Sequence, residues 1–215
     1  PGEVSLAHNG VLFLDEFPEF KKHVLEVLRQ PLEDGEVTIA RANMTLTFPA
    51  RFTLIAAMNP CPCGFLGDSR NSCNCNESEI KRYTGKISGP LIDRIDMHLE
   101  VAGLDYREMS CAVKGENSKD IKARVDQTRA LQVKRFSENP GVYCNSQMNN
   151  KLMEKHCALD KPSSQILEKS VTKLKLSARA YHRILKVSRT IADMCQSPNI
   201  QSIHVSEAVQ FCRTD

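Results

Sequence analysis

The chain has 215 residues, of which 41% are hydrophobic and 26% are charged, an ordinary composition for a globular protein with one large or two small domains. No apolar run approaches the roughly 20 residues of a membrane-spanning helix, so no membrane association is expected and a cytoplasmic setting is the default. The net charge of +3 hides an asymmetry, because residues 1–117 hold 12 basic and 17 acidic side chains and residues 118–215 hold 17 basic and 9 acidic ones. This break predicts a domain boundary near residue 117. The basic half either faces a polyanion or forms a solvated helical surface.

Two apolar runs in the first half are predicted to be strands of a parallel sheet. Residues 11–14 and the stretch "RFTLIAAMNP" at 51–60 lack alternation, which is typical of strands buried on both faces. The first run ends at Asp15 and Glu16, and the second ends at Asn59. Since active sites of α/β sheets lie at the carboxyl ends of their strands, these polar side chains are candidates for chemistry.

Other elements are expected around these strands. A helix over residues 19–30 is indicated by an apolar stripe, namely Phe20, Val24, Val27 and Leu28. Residues 36–48 predict a β-hairpin around the polar turn Ala42-Asn43. A short helix is expected after the cap residue Asn76, with Glu77 and Glu79 in its first turn, and residues 97–103 are a third strand candidate.

The cysteines indicate a metal site rather than a disulfide framework. Their number, nine, is odd, and four of them form two Cys-x-Cys pairs separated by nine residues: Cys61, Cys63, Cys73 and Cys75. Four thiolates from two close pairs can wrap a tetrahedral Zn²⁺ ion, although C-x₂-C is the usual knuckle spacing. Redox-sensitive thiols and simply packed thiols are the alternatives. No His lies nearby in the sequence, so nucleophilic catalysis by these cysteines is not expected.

The second half of the chain is predicted to be entirely helical. Five helix candidates follow one another at residues 118–136, 146–156, 162–176, 177–194 and 205–212. The first carries a stripe of Ile121, Val125, Thr128 and Leu131, and the expected caps of later helices are Ser146, Ser163 and Ser177. The predicted fold class is therefore α/β, with parallel strands, helices and a β-hairpin, followed by an all-α domain.

The acidic pair has a clear chemical use. Asp15 is placed to hold Mg²⁺ directly or through water, and Glu16 to polarise a water molecule for in-line attack on a γ-phosphate. The alternative is that the two acids complement the dipole at the N-terminus of a helix.

The motifs as a set resemble a known family. "VLFLDE", "LIAAMNP" and "GPLIDRID" follow the order of Walker B, sensor 1 and arginine finger in the AAA+ ATPase core. More narrowly, "LEVLRQPLEDGEVTIARA", "AAMNPCPCGFLGD", "ISGPLIDRIDMHLEV" and "LSARAYHRILKVSRTIADM" resemble the magnesium-chelatase-like ComM (YifB) family over nearly the whole chain. The resemblance implies a hexameric, ATP- and Mg²⁺-dependent motor on branched or single-stranded DNA, active in natural transformation and recombination.

The resemblance also implies roles for individual residues. Asp15 and Glu16 would be the Walker B pair, and Asn59 would be sensor 1, with a turn-forming Asn before Pro60 as the alternative. Arg94 would be the arginine finger that reaches the neighbouring subunit's ATP, with an ion pair to Asp93 or Asp96 as the alternative.

Two basic residues are assigned in the same way. Arg179 would be sensor 2, coupling the helical lid to the nucleotide, with Arg183 and Arg189 as weaker candidates on the same helix. Arg41 matches the basic tip of the pre-sensor-1 hairpin of AAA+ helicases, where it would grip DNA phosphates, unless it is an exposed turn residue on a solvated hairpin.

One part of an ATP site is absent from the sequence. The chain has no G-x-x-x-x-G-K-[ST] phosphate-binding loop, so we expect it to be the carboxy-terminal part of a longer polypeptide and to be inactive alone. The predicted layout is a partial AAA+ core at 1–104, a linker at 105–117 and a helical lid at 118–215. Two other functions remain open: a magnesium-chelatase motor subunit for metal insertion, and a zinc-stabilised DNA-binding or adaptor module without catalysis.

Overall fold

The structure, a computed structural model, describes residues 2–41, 44–68, 70–103 and 115–212, with the Arg41 side chain outside the described part. It divides into two compact units, Pro1–Ile95 and Asp96–Asp215. Across the described ranges, no helix combines the length and apolarity that crossing a bilayer requires. The α/β and all-α classes predicted for the two halves are confirmed.

The first unit holds short helices, two paired strands and a hairpin. In chain order its elements are α1 (Glu3–Leu6), β1 (Val11–Leu14), a 3₁₀ turn (Phe17–Glu19), α2 (Lys22–Val27), α3 (Arg29–Asp34), β2 (Glu36–Arg41), β3 (Met44–Pro49), β4 (Thr53–Ala56), α4 (Glu77–Thr84) and α5 (Gly89–Ile92). Their core is a cluster of five buried apolar side chains, Phe17, Leu25, Leu28, Ile87 and Leu91.

The two predicted strands pair as expected. β1 and β4 are parallel, in a register that runs from Val11 opposite Thr53 to Leu14 opposite Ala56. Burial on both faces was wrong, because Val11 and Phe13 are 59% and 58% exposed. Alternate residues, including Leu12 and Leu14, pack on the core instead, and within the described residues no further strand lies beside this pair. The sheet therefore presents an apolar face outward.

The helix predicted over residues 19–30 is broken into α2 and α3. Pro31 has no N–H to donate and is tolerated only in a first turn, so a new helix begins at Arg29. The predicted apolar stripe was also wrong in part, because Leu25 and Leu28 are buried while Val24 and Val27 are exposed. The core-facing side of this segment is thus set by the leucines.

The hairpin prediction is confirmed for its two arms. β2 and β3 are antiparallel, from Glu36 opposite Pro49 to Arg41 opposite Met44. α3 ends at Gly35, which has a φ of 71° and turns the chain into β2. A Cβ at Gly35 would also lie 2.9 Å from the Arg51 side chain, so both backbone angle and space require glycine here. The turn at residues 42–43 lies outside the described residues.

The strand predicted at residues 97–103 is not formed, and this segment belongs to the second unit. The His98 N–H donates to the carbonyl of Phe211 at 2.8 Å, but Leu99 and Val101 project outward, Val101 with 92% exposure. An apolar strand needs a neighbouring strand to take its backbone hydrogen bonds, and the described residues offer it none.

The second unit contains the five predicted helices. They are α6 (Ser118–Arg135), α7 (Asn150–His156), α8 (Lys161–Leu174), α9 (Ala178–Met194) and α10 (Ser202–Gln210), with a 3₁₀ turn at Asn145–Gln147. Ser177 caps α9 as predicted, accepting from the Ala180 N–H at 3.2 Å. The predicted caps of α7 and α8 were wrong, because Asn149 and Asp160 cap these helices. Asn and Asp are as effective as Ser at this position, so composition alone did not separate them.

The stripe predicted for α6 was confirmed only at Thr128. Thr128 and Gln132 are buried, whereas Ile121, Val125 and Leu131 are exposed. Gln132 is buried because its side-chain oxygen accepts the Asn145 N–H at 3.2 Å. α6 thus packs through polar groups.

A network of ion pairs and hydrogen bonds surrounds the buried Asp193 of α9 in the helical unit. Arg135 donates to Asp193 Oδ2 at 2.6 Å, and the Asn145 amide donates to the same oxygen at 2.8 Å. Arg189 donates to Asp193 Oδ1 at 3.0 Å and also to the carbonyls of Ser197 and Pro198 at 2.7 and 2.9 Å. Two guanidinium groups thus neutralise and orient one buried carboxylate, in a geometry that joins α6, α9 and the loop after α9.

Candidate nucleotide and metal sites

The carboxyl ends of β1 and β4 bring the predicted polar residues together. Beyond the last paired residues, the Ala57 N–H donates to the Leu14 carbonyl and the Phe17 N–H donates to the Ala57 carbonyl, both at 2.9 Å. Asp15 and Glu16 occupy the loop between these two bonds, and Asn59 follows two residues after Ala57. All three side chains are exposed. A bound ligand at this edge can therefore meet two carboxylates and one amide.

The backbone at Glu16 is held in an unusual conformation. Its φ and ψ of 49° and 45° lie in the left-handed region, which costs a residue with a Cβ roughly 1–2 kcal/mol. Asp15 Oδ1 accepts the Glu16 N–H at 2.9 Å, and the buried Phe17 anchors the next residue. Such backbone strain is found preferentially at functional sites.

The helix-dipole alternative has little support here. The helix after Glu16 is a single 3₁₀ turn of three residues, and Glu16 makes no side-chain capping hydrogen bond to it. A macrodipole requires several aligned peptide units, so one turn gives the two carboxylates little to stabilise.

Tyr83 of α4 is a site residue that the sequence did not indicate. It is buried, and its hydroxyl lies at the backbone N–H of Asn59. The pKa of Tyr83 is raised, first by desolvation and then by the negative charges of Glu19 and Glu16, against the effect of the Asn59 N–H. Tyr83 therefore places α4 beside the segment that follows β4. No local motif marks it, because its partners are distant in the sequence.

The four predicted metal ligands converge. The Sγ atoms of Cys61, Cys63, Cys73 and Cys75 all lie within 4.8 Å of one another. Cys61 Sγ is 3.4 Å from Cys63 Sγ and 3.7 Å from Cys73 Sγ, and the distance from Cys63 Sγ to Cys73 Sγ is 3.6 Å. Zinc–sulfur bonds of 2.3 Å in a tetrahedron give edges of about 3.8 Å. The donor set thus fits a tetrahedral zinc ion.

The loop backbone stabilises negative charge on one of these sulfurs, that of Cys63, whereas the pKa values of Cys73 and Cys75 are raised. The N–H groups of Phe65 and Asn74 are the main reason that the pKa of Cys63 is lowered to about 6. Desolvation and the proximity of Cys63 raise the pKa of Cys75 to about 12. Backbone N–H groups aimed at sulfur favour a thiolate, which is the form that binds metal. Gly64, with a φ of 83°, ends a turn in which its N–H donates to the Cys61 carbonyl at 3.0 Å.

Arg94 is held by its own chain. Its Nε donates to Glu33 Oε2 at 3.0 Å, Nη2 donates to the same oxygen, and Nη1 donates to the Pro90 carbonyl at 2.6 Å. Its carboxylate partner, Glu33, lies 61 residues away in sequence and is not one of the acids beside it in the sequence that were considered for an ion pair. No local pattern pointed to this pair.

The three arginines of α9 differ in exposure. Arg179 is exposed in the first turn of the helix, in the second unit. Arg183 is buried near Asp96, and Arg189 is buried in the Asp193 network. Of these three, Arg179 is the only one with an exposed side chain.

Two further residues lie in the first unit. The hairpin-tip residue Arg41 has its backbone in β2, and its side chain lies outside the described residues. His8, just before β1, accepts the Arg51 N–H through Nδ1 at 3.1 Å and so ties the start of β1 to the start of β4.

Comparison with known proteins identifies the class. Residues 1–109 match the family described as magnesium chelatase, subunit ChlI, and residues 115–212 match its C-terminal counterpart. With a parallel-stranded α/β unit followed by a helical unit, the chain is a magnesium-chelatase-like AAA+ protein.

Within that class the chain belongs to the ComM/YifB family. It is 45% identical to competence protein ComM of Haemophilus influenzae over 98% of this chain and 40% of that protein. It is 41% identical to the uncharacterized protein YifB of Escherichia coli over 100% of this chain and 41% of that protein. Identity falls to 24% for the magnesium-chelatase subunit ChlI-1 of Arabidopsis thaliana, over 94% of this chain and 36% of that protein. The chain thus spans about two fifths of the length of these relatives.

Proposed function

We propose that this chain supplies one half of the ATP site of a hexameric AAA+ motor that moves on branched or single-stranded DNA. The observation that carries the proposal is the convergence of Asp15, Glu16 and Asn59 at the ends of two paired parallel strands. The phosphate-binding loop that would complete the site is absent from these 215 residues. We propose that this loop lies in another part of the protein, because the chain covers only 40% and 41% of the length of two relatives.

Each residue has a role in this reaction. Mg²⁺, when bound with ATP, would neutralise charge on the phosphates, and Asp15 would hold it. Glu16 would accept the proton of the attacking water, and Asn59 would orient that water or touch the γ-phosphate. Arg94 would stabilise transition-state charge in the neighbouring subunit's site. Arg179 would couple nucleotide binding to the helical lid.

The hairpin is proposed to grip DNA through Arg41. A basic residue at the end of two paired strands can contact phosphates without reading sequence. In a form of the protein that carries the phosphate-binding loop, we expect Arg41→Ala to weaken binding to a four-way junction and to reduce the salt slope of log K by about 1. Arg82→Ala, an exposed arginine on α4, is the matched control and should leave both unchanged. An equal effect of the two variants would contradict the role of Arg41.

The Cys cluster is proposed to bind one structural zinc ion. Cys61, Cys63, Cys73 and Cys75 would fill all four positions of a tetrahedral site, which leaves none open for catalysis. Because Cys61 is buried only two residues after Asn59, the ion would hold the sensor 1 loop in place.

Metal content tests this site directly. The purified chain is expected to contain one zinc per molecule, and Cys61→Ser is expected to lose it, with Cys195→Ser, an exposed cysteine of the helical unit, as the control. Substitution with Co²⁺ should give the sulfur-to-metal charge-transfer absorption of a thiolate-rich tetrahedral site. Failure of the wild-type chain to take up either metal would overturn the assignment.

One experiment separates the three candidate functions. A form with the phosphate-binding loop is expected to form a hexamer and to move four-way junctions when ATP and Mg²⁺ are present. Junction movement that does not require ATP hydrolysis, or junction binding alone, would support the adaptor function. Turnover that DNA does not stimulate would support the chelatase-type motor, to which the chain is less similar.

A further inference from the structure

More than half of the hydrogen-bond donors of Arg94 are used by its own subunit. Three of the five N–H donors of its guanidinium are used, two by Glu33 and one by the Pro90 carbonyl. The Arg94 side chain is only 14% exposed, whereas that of Glu33 is 44% exposed. An arginine finger that acts on a neighbouring subunit has to leave these bonds first.

Another anion can replace Glu33 as the partner of Arg94. Its carboxylate is partly exposed, so water can solvate it once Arg94 leaves. A γ-phosphate bears more negative charge than one carboxylate and also accepts two parallel N–H bonds from a guanidinium. The charge and geometry thus allow a phosphate to compete with Glu33 for the same donors.

Glu33 also lies at the base of the hairpin. It is two residues before Gly35, where α3 ends and the chain turns into β2. The Gly35 carbonyl accepts the Ala50 N–H at 2.8 Å, which closes the hairpin at its base. The Arg94 side chain bonds back to its own turn through Pro90. The Glu33–Arg94 pair is therefore a direct link between the hairpin base and the loop after α5.

We propose that Glu33 is a positioning residue for Arg94. It holds the guanidinium against its own subunit, and a shift of the hairpin on DNA releases Arg94 to the phosphate of the neighbouring site. This inference rests on the proposed function of Arg94 and of the hairpin. Glu33 thereby couples DNA binding by the hairpin to ATP turnover in the neighbouring site.

The first experiment measures the accessibility of Arg94 in the 215-residue chain. We expect Glu33→Gln to raise the rate of phenylglyoxal modification at Arg94, followed by peptide mass spectrometry, by about three- to fivefold, the range that loss of a partly exposed ion pair allows. Modification of the exposed Arg82 should not change. Glu36→Gln, an exposed acid on the other side of Gly35, is the control variant and should leave the Arg94 rate unchanged. An unchanged Arg94 rate in Glu33→Gln overturns the proposal.

The second experiment measures ATP turnover in a form that carries the phosphate-binding loop. Glu33→Gln should raise the DNA-free rate and so lower the ratio of DNA-saturated to DNA-free turnover, whereas a merely structural role would lower both rates. Arg94→Ala should lower both rates, and the double variant should match Arg94→Ala. Absence of turnover in the wild type overturns the proposed function and this inference with it. Turnover together with a fall of both rates in Glu33→Gln overturns this inference alone.

Discussion

Replacing Asp193 with Asn is expected to lower the free energy of unfolding of the helical unit by about 3 kcal/mol or more. The substitution keeps the size of the side chain but removes the charge that neutralises Arg135 and Arg189. The buried Arg189 and the partly buried Arg135 would then keep their positive charges without this carboxylate, and an uncompensated buried charge is strongly destabilising. Urea unfolding of the 215-residue chain, followed by far-UV circular dichroism, measures the effect.

A matched control separates this effect from a general loss of charge. Asp126 forms an exposed pair with Lys122, four residues away on α6, and Asp126→Asn should cost about 0.5 kcal/mol or less. A shift for Asp193→Asn as small as this control would show that the network does not stabilise the unit.

The same network predicts a pH dependence. Burial raises the pKa of Asp193, but hydrogen bonds from Arg135 and Asn145 and the charge of Arg189 outweigh it, and the pKa is lowered overall. A carboxyl whose pKa is lower in the folded state stabilises the fold above its unfolded pKa, and this contribution is lost as the pH falls through the folded value. The stability difference between wild type and Asp193→Asn should therefore shrink below a pH of about 3.9.

The strands and their polar ends could be predicted because the evidence for them is local. A short apolar run followed at once by Asp15 and Glu16 determines both the strand and the place of its acids. The four cysteines were also predictable, since two close pairs flanking one loop need few long-range contacts to meet. In both cases neighbouring residues in the sequence are neighbours in the site.

The remaining parts of the site depend on contacts between distant segments. Tyr83 reaches Asn59 from α4, and Arg94 pairs with Glu33 across 61 residues, so no spacing in the sequence encodes either contact. Helical periodicity located α6 correctly but assigned its buried side to Ile121 and Val125. Burial of a polar side chain is favourable only when it has a hydrogen-bond partner. The partner of the buried Gln132 on α6 is the N–H of Asn145, which lies outside this helix.

The absence of a strand at residues 97–103 also depends on contacts that the local sequence does not show. Its apolar pattern is that of a strand, yet Val101 is almost fully exposed because no neighbouring strand is present among the described residues. The outward apolar face of β1, with Val11 and Phe13, is a second sign of incomplete cover, and it lies in the first unit. Both features are consistent with the proposal that the phosphate-binding segment belongs to another part of the protein.

Replacing Glu16 with Gln is expected to lower ATP turnover about 100-fold or more, while nucleotide binding is retained. The amide keeps the shape of the side chain and its position in the left-handed turn, but it cannot accept the proton of the attacking water. Asp15→Asn should instead weaken Mg²⁺-dependent nucleotide binding, because that carboxylate is proposed to hold the metal. The measurements are steady-state turnover and nucleotide binding in a form that carries the phosphate-binding loop.

The control lies three residues further along the chain. Glu19 also has an exposed carboxylate, but this carboxylate pairs with Lys86 at 3.2 Å and has no proposed role in water attack. Glu19→Gln should therefore leave turnover within about twofold of the wild type, since loss of one exposed ion pair is a small perturbation. If Glu16→Gln turned over ATP as fast as Glu19→Gln, the base would be another residue, and the strained turn at Glu16 would serve only to direct the chain from β1 into the buried Phe17.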